Sequence, residues 1–166
     1  MMKKLISAAL ALTMMLCVAA CGGSGKGDSN AEAPNLQKFY DDFMASLGAD
    51  NAPAMMNANE DASYVESFFP GLGEVELKQS VLQMAMMSQV GFELALVECA
   101  KAEDVETVKN IFQTRVDNQV AGGAFYPAVA EAWENSEIIV KGNVVALIVA
   151  GEQQADAVAA FNKLFA

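Results

Sequence analysis

The chain has 166 residues and a formal charge of −11, from 10 basic and 21 acidic side chains. That length supports one hydrophobic core and is short for two comfortable domains. The acidic balance excludes nucleic acid as a partner, since phosphate neutralisation needs a basic patch. The absence of any histidine removes the usual general base near neutral pH, Ser/His and Cys/His nucleophile pairs, and most zinc and haem sites.

Residues 1–21, MMKKLISAALALTMMLCVAAC, read as an export signal. Lys3 and Lys4 form a cationic start, Leu5 to Val18 an uncharged apolar run, and Val18-Ala19-Ala20 place small residues ahead of Cys21. The apolar run is shorter than the roughly 20 residues of a spanning helix, and a Gly/Ser tract follows it. A cysteine directly after the small residues is what lipoprotein processing requires. The pattern therefore predicts a lipoprotein signal peptide over residues 1–20 and lipidation of Cys21, with palmitate-type acyl chains. Two chains give stable anchoring where one is marginal, at about 0.8 kcal/mol per buried methylene. Removing Lys3 and Lys4 leaves 8 basic against 21 acidic side chains, a formal charge of −13. An anionic body beside an anionic surface is repelled, so the lipid is expected to do the anchoring alone.

Residues 21–33 read as a flexible polar tether, and 34–166 as a single α+β domain. Pro34-Asn35 opens a helix with Leu36, Phe39, Tyr40, Phe43 and Leu47 on one face and Gly48 as its stop. Ala49 to Glu60 is polar, contains Pro53, and reads as a loop. Asp61 caps a short helix carrying Tyr64, Val65 and Phe68, ended by Pro70-Gly71. Two strands follow, Val75–Met87 and Phe92–Cys99, with Gln89-Val90-Gly91 as the turn. The second strand sets Leu94 and Leu96 against Glu93, Ala95 and Val97. A helix over Glu103–Asn118 carries Val105, Val108, Ile111, Phe112 and Val116 on one stripe, with its acids in the first turn. Ala121-Gly122-Gly123 ends it, and Pro127 starts a short helical turn through Trp133. Glu137–Val140 and Val144–Ala150 form a hairpin around Lys141-Gly142-Asn143. The last helix, Glu152–Phe165, is expected to bury Ala155, Val158, Phe161, Leu164 and Phe165.

This order predicts an α+β fold. Its expected form is an antiparallel four-stranded sheet of (ββα)2-type order, its two following helices on one face, preceded by two N-terminal helices. Val144–Ala150 is apolar at every position, so both faces of that strand need cover. A helix of the same chain, from the N-terminal pair, is the expected cover.

The chemistry-bearing side chains form no compelling constellation. Cys99 ends an apolar strand with nothing to activate it. The acids read as solvated helix faces, none in an apolar setting that raises a pKa. Asp50, Asn51, Asn57, Asn59, Glu60 and Asp61 match no calcium-loop spacing. Met55, Met56, Met84, Met86 and Met87 would suit copper(I) as thioethers, but methionine is also a common filler of cores. Gly22-Gly23 and Gly122-Gly123 lack the setting of a phosphate loop. Tyr126 and Trp133, beside a Gly/Pro-rich connection, are the candidate ligand contacts, because binding groups favour loops on a rigid scaffold.

The lipobox-like start, Phe68–Leu72 (FFPGL), Gly91–Arg115, the Tyr126-Pro127 pair and Glu137–Ala150 together resemble the Firmicutes lipoproteins of the domain of unknown function 4358 family. The resemblance spans about Val65 to Phe165. The family's aromatic-glycine-hydrophobic-acid element falls on Phe69-Pro70-Gly71-Leu72-Gly73, where the acid is missing. The resemblance implies a Gram-positive host, surface anchoring and one small α+β domain, and it carries over no catalytic residue. The expected function is a non-enzymatic binding or assembly domain at the outer face of the cell membrane, held there by the lipid on Cys21. The alternatives are a small-ligand or metal-binding module and, third, an enzyme using carboxylates. No cofactor is expected. The partner is an unknown envelope protein or small ligand, and self-association is left open.

Overall fold

The computed structural model describes residues 33–166. The expected signal peptide, Cys21 and the tether up to Glu32 lie outside the described residues. The order is α1 (Leu36–Leu47), β1 (Met55–Asn57), α2 (Ala62–Phe68), β2 (Leu77–Ala85), β3 (Glu93–Cys99), α3 (Val105–Asn118), α4 (Pro127–Glu134), β4 (Glu137–Lys141), β5 (Val144–Val149) and α5 (Gln154–Lys163). The strands make one antiparallel sheet in the order β1-β2-β3-β5-β4.

The α+β class holds, with five strands rather than four. The additional strand is β1, which lies inside the expected loop. Its Met55, Met56 and Asn57 pair with Ala85, Met84 and Gln83 of β2. Three residues are too few to show a period of two, so only this distant pairing makes them a strand. β1 also separates the two expected N-terminal helices. The strand run expected to reach Met87 stops at Ala85, and the turn at Pro127 is a full helix through Glu134.

The helices do not share one face. On one side of the sheet α2, through half-buried Val65 and Phe68, and the Phe69 that follows it pack with α3 and α4, through Phe112, Val129 and Trp133, onto Leu82, Ala95, Val97, Val145 and Leu147. On the other, α1 and α5 pack through Leu36, Phe39, Phe43, Ala157 and Phe161 onto Val81, Leu94, Leu96, Ala146 and Ile148. β3 and β5 are buried at every position, and each face of such strands demands its own cover. The α3 and α5 helices, expected together, therefore lie on opposite sides. The expected cover of the second face by the first helix is present, and α5 shares the task. In α5 the buried pair is Ala157 and Phe161, while Ala155 is exposed. Val158, Leu164 and Phe165 pack half-buried against the same core, so the expected stripe holds except at Ala155.

Two polar devices seat these layers. Asn35 caps α1, its side chain accepting from the Lys38 amide at 2.8 Å. Gln79 of β2 then clips the helix start to the sheet: its Oε1 accepts from Leu36 N at 2.9 Å, and its Nε2 donates to Pro34 O and to Glu98 Oε2. The β4–β5 hairpin turns at Gly142-Asn143 with Gly142 at φ 59, a conformation that favours glycine.

Candidate functional site

The site lies at the end of the sheet where β3 begins. The β1–β2–β3–β5 registers set Met56, Met84, Glu93 and Val149 side by side in one row. The C-terminal turn of α3 brings Arg115 over this row. The loop from Met86 to Phe92 closes one side, and the turn at Gln119–Ala124 with α4 closes the other. Gly91 permits that closure, because a Cβ there would stand 2.5 Å from Ala132 Cβ.

Arg115 and Glu93 form a forked ion pair, with Nε donating to Oε1 at 3.2 Å and Nη2 to Oε2 at 2.8 Å. Glu93 is 2% exposed and the Arg115 side chain 14%. The guanidinium carbon also lies 5.2 Å from the Phe68 ring centre and 5.1 Å from that of Trp133. Arginine suits this role because its planar, weakly hydrated cation forks onto a carboxylate and lies on aromatic faces. Burial pushes the Glu93 carboxyl above its ordinary range, against the pull of the Arg115 hydrogen bonds and charge.

Around the pair is a cavity of about 280 Å³ walled by Met56, Met84, Met86, Met87, Phe68, Trp133, Val129 and Ala124. Among the residues that line it, Glu93 is the sole carboxylate. Nη1 of Arg115 makes no hydrogen bond among the described residues, and none of its atoms is both sealed from solvent and unpartnered. Nη1 is therefore not sealed from solvent, and Arg115 is one of the residues that line the cavity. At the rim, Met86 and Met87 are 68% and 53% exposed. A second, wider groove of about 440 Å³ runs between α1 and α5 past Phe39, Phe43 and Leu164.

The two expected contact residues separate. Trp133 is buried in the cavity wall and against Arg115. Tyr126 does not line the cavity; it lies edge-on to the exposed Phe125, their ring centres 5.6 Å apart. Cys21 lies outside the described residues. Glu93 corrects the expectation that no acid sits in an apolar setting. In a strand covered on both faces an acid is buried whichever face it takes, and it requires a cation. The signal for that cation is Arg115, the only arginine in the chain, set on the same helical stripe as Val108 and Phe112.

The other candidates have structural employment. Asn57 and Asp61 cap the turns that follow them by accepting from Asn59 N and Ser63 N, which lowers the Asp61 carboxyl. Cys99 is fully buried, and burial, with Asp104 adding to it, pushes its thiol up. Of the five singled-out methionines, four line the cavity, and Met55 packs on the opposite face. Among the described residues no group of three or more His, Cys, Asp or Glu is placed to hold a metal. No helix there is long and apolar enough to cross a membrane.

The comparison with family models places the same elements in one known group. The model of DUF4358, a domain of unknown function, matches residues 54–150. The chain belongs to that family. The match opens just before β1 and closes after β5, so the DUF4358 region contains the whole sheet, α2, α3, α4, the Arg115–Glu93 pair and the cavity. α1 and α5, which cover the second face, lie outside it. No curated protein and no solved structure matches the chain.

Proposed function

We propose that the chain is an exported lipoprotein, held at the outer face of the cell membrane by lipid on Cys21, whose domain is a non-enzymatic binding module. The family resemblance adds a Firmicutes host to this reading. The binding site we assign is the cavity at Arg115. One observation carries the assignment: Arg115 commits Nε and Nη2 to Glu93, keeps Nη1 free of hydrogen bonds among the described residues, and lines a cavity together with thioethers and aromatic rings. Thioethers adapt to varied apolar shapes, and the spare donors suit a carbonyl or carboxylate. A volume of about 280 Å³ is at the small end of ligand pockets, so a short apolar chain with an acidic or carbonyl end fits it.

The non-enzymatic part of the reading rests on the same geometry. Acid–base catalysis needs a carboxyl free to exchange its proton with substrate, and both Glu93 oxygens accept from Arg115. Calorimetric titration with decanoate, an apolar chain ending in a carboxylate, tests the site. Binding that is lost on Met86→Asp with Met87→Asp, two exposed positions, supports it; absence of binding overturns it. For the anchor, Cys21→Ser should move the protein out of the membrane fraction, and persistent membrane association would contradict lipidation.

The four methionines that line the cavity favour a second reading, a soft monovalent cation held by thioethers. Titration with silver(I) separates the two. Binding that disappears with Met56→Leu and Met84→Leu supports the cation, and binding of decanoate alone supports the apolar ligand.

A further inference from the structure

The two edges of the sheet are built differently. β1 is three residues long, and very short edge strands resist pairing with other chains. β4, at the opposite edge, runs five residues, Glu137-Ile138-Ile139-Val140-Lys141, with no proline and no irregularity in its register against β5. Among the described residues it pairs with β5 alone.

The hairpin decides which backbone groups this edge presents. A loop of two residues, Gly142-Asn143, makes Lys141 and Val144 a hydrogen-bonded pair. Pairing alternates along an antiparallel ladder, so the N–H and C=O groups of Glu137, Ile139 and Lys141 point to β5. Those of Ile138 and Val140 point outward. The side chains alternate as well. Ile138 packs with the α3 layer and Ile139 with the α1/α5 layer, and Val140 is 40% exposed.

We propose that β4 is a self-complementary edge that pairs antiparallel with β4 of a second copy of this chain, joining two sheets across a two-fold axis at Ile139. Centred there, Ile138 of each copy faces Val140 of the other, and these are the residues whose backbone groups point outward. Each such pair exchanges both its hydrogen bonds. The same register sets Glu137 opposite Lys141 at both ends of the junction, an opposite-charge cross-strand pair on each side of the axis. Backbone parity and charge order select one register independently, and a two-fold arrangement satisfies both. A single-residue slip breaks both at once.

The test is cross-linking of the intact, full-length chain carrying Ile139→Cys. On the axis this residue meets its own copy at a non-hydrogen-bonded position with Cα atoms roughly 4.5 Å apart, within disulfide reach. Mild oxidation should give a disulfide-linked dimer. Ile138→Cys, which faces Val140 of the other copy, should give far less. Glu137→Lys turns both end pairs repulsive and should weaken dimerisation by about tenfold. Glu137→Lys with Lys141→Glu should restore it. Val140→Pro, which removes an outward donor at an edge position that tolerates proline, should abolish it. Sedimentation of the unsubstituted, charge-reversed and Val140→Pro chains in detergent gives the same ranking without a cysteine. A monomer at high protein concentration overturns the proposal. So does a dimer that cross-links equally through Ile138→Cys, or one indifferent to the charge reversal.

Discussion

Arg115→Met tests whether the forked pair at the cavity floor is held as the structure implies. The substitution keeps an apolar stem beside Phe68 and Trp133 and removes the cation paired with Glu93. Breaking a buried ion pair from one side costs about 3–5 kcal/mol, because the remaining charge is stranded. The stranded carboxyl can take up a proton instead, at about 1.4 kcal/mol for each unit between its pKa and the solution pH. A loss of about 3 kcal/mol at pH 7 follows, which is a fall in Tm of roughly 10 °C for a domain of this size. The pH dependence has a definite sign. Burial already raises Glu93 in the folded protein, and losing Arg115 raises it further. Stability from a carboxyl raised on folding is complete below its unfolded pKa and is lost as pH rises through the folded value. The deficit of Arg115→Met should therefore shrink as the pH falls from 7 to 5. Pairing it with Glu93→Leu should return stability to near the parent level, since an apolar replacement of both partners is often neutral. Urea unfolding followed by circular dichroism reads all of these. A loss under about 1 kcal/mol at pH 7, a deficit that widens on acidification, or a double variant as weak as the single one would show that Arg115 does not hold the Glu93 charge.

Gly91→Ala drives a methyl group to 2.5 Å from Ala132 Cβ and 3.3 Å from the Val129 backbone. Overpacking of about 1–3 kcal/mol should appear in thermal unfolding, and an unchanged Tm would show that α4 is not seated against the β2–β3 loop. Deleting residues 34–47 uncovers Val81, Leu94, Leu96 and Ile148, so the truncated chain should aggregate on size exclusion; a monomeric, cooperatively unfolding product would contradict the two-layer cover. Cys99, buried with its thiol pushed up, should resist a disulfide reagent at pH 8 until the protein unfolds, in a chain with Cys17 and Cys21 replaced by serine. Rapid labelling of the native state would place the thiol in reach of solvent.

What could be read from the residues alone divides along the range of the interactions involved. α1 was legible because Leu36, Phe39 and Phe43 repeat at helical spacing between a cap at Asn35 and a stop at Gly48, all within one local stretch. β5 was legible because six consecutive apolar residues follow a Gly-Asn turn, and their uniform burial required two covering layers. β1 was not, since Met55–Asn57 become a strand only by meeting Gln83–Ala85. The side of the sheet that each helix takes follows from the same two-sided demand, but no local pattern assigns α3 to one face and α5 to the other. At the site, alternation set Glu93 on the side of Ala95 and Val97, while Arg115, twenty-two positions away, supplied the cation its burial requires. The methionines were visible as a group, yet only the pairing of β1 with β2 sets Met56 beside Met84 at the cavity, with Met86 and Met87 at its rim, and leaves Met55 on the opposite face. Tyr126 and Trp133, close in sequence, part company because α4 turns Trp133 inward and leaves Tyr126 at its start.

In the proposed function the cavity at Arg115 receives a short apolar ligand. Methyl resonances of methionine, recorded with increasing decanoate, test it with an internal control. Met56, Met84, Met86 and Met87 line the cavity, whereas Met44 and Met55 pack on the far face of the sheet. Saturable shifts confined to the first four are the predicted result; no shifts, or shifts shared equally by Met44 and Met55, would contradict it.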